Sequence, residues 1–116
     1  MKHGRFLLAP EKCLMPDVKK TTRFHERLFG LLFRRRLQHD EALFIVPCKS
    51  VHTIGMRYSI DLIYLDKDMQ IIKLVKNLKP FRFSACHSAY GVIETATNKL
   101  AELNLQCGQT LIWQEI

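Results

Sequence analysis

The chain has 116 residues, of which 47% are hydrophobic and 25% charged, with a formal net charge of +7. That length and balance fit one globular domain, residues 1–116, large enough to bury a core without disulfides. No run approaches the roughly 18 apolar residues of a membrane helix, and the N-terminal run Phe6-Leu7-Leu8-Ala9 stops at Pro10, so neither a spanning helix nor a secretory leader of ordinary length is expected.

Residues 4–9 read as a first strand, and Cys13 to Met15 as a short second one interrupted by Pro16. Thr21 to Gly30 reads as a helix. Thr21 or Thr22 serves as its cap, and Phe24, Leu28 and Leu31 fall on one stripe. Gly30 stands where a left-handed terminating residue belongs, and Arg34-Arg35-Arg36 follows. Two short apolar runs, ALFIV at 42–46 and IDLIYL at 60–65, have the length and β-branched content of buried strands. Asp66 to Asp68 makes a hairpin turn into a partner strand, Gln70 to Val75. Pro80 breaks the chain, and 81–88 reads as an extended loop. Tyr90 to Ala96 is a further strand, Asn98 to Leu103 a short helix capped by Thr97, and Thr110 to Gln114 a last strand. The pattern predicts a mainly β fold, with α+β as the alternative. Its form is a compact antiparallel sandwich or barrel of about six or seven strands with one helix packed across it.

The segment Cys48 to Asp66, CKSVHTIGMRYSIDLIYLD, holds the most unusual placement of polar residues. Asp61 lies inside an apolar strand, where a carboxylate must be hydrogen-bonded, paired or neutralised. One reading is a structural Asp held by amides or by Arg27 or Arg57; the other is a carboxylate kept in a cleft for ligand or acid–base work. His52 is its nearest chemical partner in sequence, and Cys48 could form a nucleophilic pair with it. Glu94, in VIETA, is either a second site carboxylate or a residue on a polar strand face. Cys48, His52, Cys86 and His87 are four residues of types that ligate zinc, but their spacing matches no zinc-finger pattern. The four cysteines lie far apart without a C-x-x-C pair and read as free thiols, in keeping with a cytoplasmic protein. The cations Arg27, Arg34, Arg35, Arg36, Lys73, Lys76, Lys79 and Arg82, with the aromatics of Phe81-Arg82-Phe83, offer an anion- or nucleic-acid-binding face against the plain reading of a solvated surface.

Two blocks, ERLFGLLFRRRL followed by EALF, and CKSVHTIGMRYSIDLIYLD followed by VIE, resemble domain-of-unknown-function family 192. The resemblance implies a β-sandwich or barrel crossed by one helix, and no assigned activity. It also implies a pilus-assembly association for some relatives. The family's recurrent residues fall on Arg27, Gly30, Arg34, Met56, Asp61 and Glu94, with departures at Leu32, Ala42 and Ser59.

Three functions follow. The first is a non-enzymatic module binding a small polar ligand or a protein segment through His52, Met56, Asp61, Glu94, Arg27 and Arg34. The second is a small hydrolase using His52 with Asp61 or Cys48. The third is a nucleic-acid-binding accessory protein. No cofactor is implied.

Overall fold

The computed structural model describes residues 1–21 and 36–116. Its strands are β1 (Lys2–Ala9), β2 (Lys12–Lys20), β3 (Glu41–Ile45), β4 (Ser50–His52), β5 (Ile60–Leu65), β6 (Ile71–Leu78), β7 (Phe83–Ala85), β8 (Gly91–Ala96) and β9 (Ile112–Glu115). One short helix, α1 (Lys99–Leu103), lies between β8 and β9. The helix expected over Thr21 to Gly30, with Arg27, Gly30, Leu32 and Arg34, lies outside the described residues apart from Thr21.

Seven strands form one sheet in the order β6-β5-β8-β3-β2-β1-β9, and β4 pairs with β7 in a small second sheet. The mainly β expectation holds. The pairing is not antiparallel throughout, because β2 and β3 run parallel, with Asp17 opposite Glu41 and Lys20 opposite Phe44. Parallel neighbours need a long crossover, and residues 21–40 supply its length. The large sheet curls until its ends touch. Gln70 bridges Thr110, and the amides of Gly108 and Leu111 donate to the carbonyls of Ile71 and Met69. β6 and β9 nevertheless do not pair as strands, so the sheet is not a closed barrel.

The interior strands explain their own sequences. β5 and β8 have neighbours on both sides and apolar layers on both faces, so IDLIYL is buried at every position and GVIETA at all but Ala96. One face carries Phe6, Met15, Val18, Phe44, Ile63, Leu65 and Ile93, closed by Leu100 of α1 together with Leu105 and Leu111. There Phe6 meets Phe44 edge-on at 5.1 Å and Trp113 at 5.2 Å, the aromatic geometry that adds to simple burial. Gly4 is dictated by this cluster, since a Cβ would stand 2.5 Å from both the Gln114 carbonyl and the Trp113 ring. The other face carries Leu43, Ile45, Ile60, Leu62, Tyr64 and Val92, covered by Val51, Met56 and Ala89. The Tyr64 hydroxyl donates to Ser84 Oγ at 3.0 Å, which ties the small sheet over this second face.

Three local expectations are corrected. Pro16 does not end the second strand. The β1–β2 register jumps from Gly4 opposite Val18 to Phe6 opposite Met15, so Pro16 sits in a bulge, before the β3 pairing begins at Asp17. The loop expected at 81–88 contains β7, whose partner β4 is too short to show periodicity. Thr97 does not cap α1; Asn98 takes the cap position in a left-handed conformation without a side-chain bond, and the Thr97 hydroxyl bonds Asn77 Oδ1 instead.

Candidate functional site

β5 and β8 are adjacent, and each places one carboxylate inside the protein. Asp61 alternates with Ile60 and Leu62 and therefore points with Ile63 and Leu65 to the helix-covered face. It is wholly buried. Its Oδ1 accepts from the Asn77 amide at 2.8 Å, and its Oδ2 accepts from the Leu100 amide at 2.9 Å. Both donors need such a partner. Asn77 has φ 53 within the irregular stretch of β6 opposite β5, where ladder pairing lapses between Ile60 and Leu62. Leu100 is in the first turn of α1, where amides have no intrahelical acceptor. Asp61 thus does from another strand what a capping side chain does locally, and pins β6, β5 and α1 together.

Glu94 points the other way. In β8 it stands opposite Leu62 on one side and Leu43 on the other, both residues of the second face. Burial pushes its carboxyl up to about 8 from an ordinary 4.5. Its Oε2 has no hydrogen-bond partner among the described residues, and neither has the nearby hydroxyl of Tyr58. Burial raises the Tyr58 hydroxyl above its usual value. The Glu94 charge adds to that rise, and Arg36, whose guanidinium lies 5.8 Å from the centre of the Tyr58 ring, opposes it. Met56 is buried on this same face. Near neutral pH the Glu94 carboxyl is therefore largely protonated and can both donate and accept, beside a phenol that can do the same.

Met56 and Glu94 lie on the same face of the sheet and Asp61 lies on the other, so the structure does not bring Asp61 to them. His52 is exposed at the end of β4, opposite Phe83 of β7, while both Asp61 oxygens are taken up by backbone amides. Cys48 is half-buried, and its Sγ donates to the Ser50 carbonyl at 3.0 Å. Burial raises the Tyr64 hydroxyl and the Ser84 hydrogen bond opposes this, while Cys48 and Cys86 pack against the same face as Tyr64. His87 is exposed, and among the described residues no three His, Cys, Asp or Glu side chains converge as metal ligands would. All four cysteines are free thiols. Arg27 and Arg34 lie outside the described residues. Tyr58 was not legible as a site residue, and Arg36 was read only as one cation of an anion-binding face, not as a neighbour of this site. Tyr58 sits between Arg57 and Ser59 like any loop tyrosine, and only burial of its hydroxyl beside Glu94 distinguishes it.

Fold and site together define a mainly β protein with one curled mixed sheet, a short helix pinned by a buried aspartate, and an unpartnered glutamate on the opposite face. Residues 9–113 match domain-of-unknown-function family 192, described as uncharacterised ACR, and the chain belongs to that family, the one its motifs resemble. It is similar to a UPF0127 protein of Pyrococcus furiosus, 28% identical over 106 residues that span 86% of this chain and 89% of the relative. A UPF0127 protein of Thermococcus sibiricus is 30% identical over 103 residues, 84% of this chain and 66% of the relative. Two crystal structures share the fold. One is a protein of unknown function from Novosphingobium aromaticivorans, with TM-score 0.75, 18% identity and 96% and 84% of the two chains covered. The other is a proposed transcription regulator from Sinorhizobium meliloti, with TM-score 0.79, 16% identity and 97% and 92% covered. No helix among the described residues is long and apolar enough to cross a membrane.

Proposed function

We propose that the protein is a non-enzymatic binding module that takes a small neutral polar group on the Glu94 face. The observation that carries this reading is the pair of buried polar atoms without a hydrogen-bond partner among the described residues, Glu94 Oε2 and the Tyr58 hydroxyl, on one face of the sheet. Each such atom costs about 1–3 kcal/mol when left without a hydrogen bond, so a molecule reaching both recovers energy that the free protein forgoes. A protonated carboxyl and a phenol favour a group with both a donor and an acceptor. An amide is the simplest such group, whether in a small molecule or in a peptide segment of a partner. Met56 supplies an adaptable apolar wall, and Arg36, over the Tyr58 ring, supplies charge at the margin. The four free thiols support a reducing compartment, and we place the module in the cytoplasm on that ground.

A thermal-shift screen tests this. The panel is primary amides, amino acids, polyols and short peptides, applied to the wild type, Glu94→Leu and Tyr58→Phe. At least one compound is expected to raise the wild-type Tm and to leave both variants unmoved, since only binding to the folded state shifts unfolding. A panel that moves nothing, or a shift that survives in Glu94→Leu, defeats the reading.

A further inference from the structure

The end of the molecule formed by the turn at 53–56 and the segment 79–83 carries an apolar tip that the Glu94 site does not use. Ile54, Phe81 and Phe83 are 58%, 67% and 69% exposed. They are neighbours through hydrogen bonds that converge on Thr53, itself wholly buried. The Thr53 amide donates to the Arg82 carbonyl at 2.9 Å, and the Phe81 amide donates to the Thr53 carbonyl at 3.0 Å. The Thr53 hydroxyl donates to the Lys79 carbonyl at 2.6 Å and accepts from the Arg82 amide at 2.9 Å. Phe83 stands opposite His52 in the small sheet. The turn itself is tight, with the Met56 amide bonded to the Thr53 carbonyl and Gly55 at φ 88, which leaves Ile54 at its apex.

Two features go beyond chance exposure. Phe81 is held at φ 61, a conformation that a bulky residue adopts only where its surroundings impose it. The Thr53 bonds impose it, and the ring is presented to solvent rather than folded inward. The charge along the segments that carry the tip also has one sign. Residues 49–60 and 73–84 contain Lys49, Arg57, Lys73, Lys76, Lys79 and Arg82 and no Asp or Glu. Lysines on the edge strand β6 protect it against pairing with other strands. That accounts for Lys73 and Lys76, and leaves the exposed Ile54, Phe81 and Phe83 unexplained.

We propose that this tip is a docking surface for an anionic phospholipid bilayer. Aromatic and aliphatic side chains enter the headgroup boundary, and the flanking Arg57, Lys79 and Arg82 meet lipid phosphates. Rigid apolar tips ringed by cations suit that interface, where apolar burial and attraction to acidic lipid act together. Single-stranded nucleic acid asks for stacking faces, and Ile54 at the apex has none. The surface is pre-ordered by Thr53, so docking loses little conformational freedom. This inference is independent of the Glu94 site.

Co-sedimentation of the full chain with vesicles tests it, comparing phosphatidylcholine alone with phosphatidylcholine plus phosphatidylglycerol at physiological salt. The wild type is expected to sediment only with the acidic vesicles. The double variant Phe81→Ser/Phe83→Ser, whose side chains are exposed and whose fold is checked by circular dichroism, is expected to bind at least roughly tenfold more weakly. Lys79→Glu/Arg82→Glu is expected to lose binding, and Lys12→Glu, an exposed site on β2, to retain it. Three results would overturn the proposal. One is a wild type that stays in the supernatant. Another is a Phe double variant that binds unchanged, which marks mere adsorption of a basic chain. The last is an oligothymidylate that binds through Phe81 and Phe83 while the vesicles do not, which assigns the surface to nucleic acid.

Discussion

The two faces of the large sheet treat a buried carboxylate in opposite ways. Asp61 and Glu94 sit on neighbouring strands, both inside the protein. On the helix-covered face Asp61 meets two backbone amides that themselves lack partners, and the three groups satisfy one another. On the second face Glu94 lies between Leu43 and Leu62 with one oxygen unpartnered among the described residues, beside an equally unpartnered phenol. Burial alone therefore does not mark a functional carboxylate. What separates the two is whether the fold supplies the hydrogen bonds that burial takes away.

This contrast can be broken by experiment. Asp61→Ala strands the Asn77 and Leu100 amides and detaches α1 from β5, and should lower unfolding free energy by about 4 kcal/mol in urea denaturation. A loss no greater than that of an average surface substitution would mean that the amides find other acceptors.

Next in size is a pH effect on the opposite face. Glu94 holds its proton more tightly in the folded chain, to about 8, than an unfolded carboxyl does at 4.5. Between those values the folded chain binds more protons, so its stability is fully present below about pH 4.5 and falls as pH rises through about 8. Between about pH 4.5 and 7 the fall should be on the order of 3 kcal/mol in the wild type and absent in Glu94→Gln, with denaturation at several pH values as the measurement. A Glu94→Gln profile as steep as the wild type would assign the slope to other groups.

The smallest effect is expected at Tyr58. Tyr58→Phe removes a buried hydroxyl that has no partner among the described residues, and should raise stability by about 1 kcal/mol. Destabilisation there would show a hydroxyl already satisfied, and the second face would then resemble the first. A gain would fit the usual opposition between stability and function, in which binding groups are held at a cost to the fold.

Much of the architecture was legible in local pattern. IDLIYL and ALFIV announce interior strands because a strand covered on both faces needs apolar residues at successive positions, and the hairpin between β5 and β6 is marked by Asp66, whose Oδ1 accepts from the Asp68 and Gln70 amides. The oddity of Asp61 was legible for the same reason: one charged residue broke an apolar run. Pairings between distant residues were not. β4 and β7 span three residues each, too few to show alternation, and they are strands only because each supplies the other's hydrogen bonds. The parallel β2–β3 pair depends on where a long crossover returns. Pro16 looked like a strand ending because a bulge can be recognised only against its partner.

The sequence by itself determined that this is a basic, mainly β chain of its family, with Asp61 and Glu94 in apolar strands, because composition and periodicity act through neighbouring residues. Only the tertiary structure decided that these two carboxylates face opposite ways. It set Asp61 against the amides of β6 and α1, and left Glu94 beside Tyr58 and Met56. The physical reason is that a buried charge is satisfied or orphaned by groups from other strands and helices, and the positions of those groups are fixed by strand order and register.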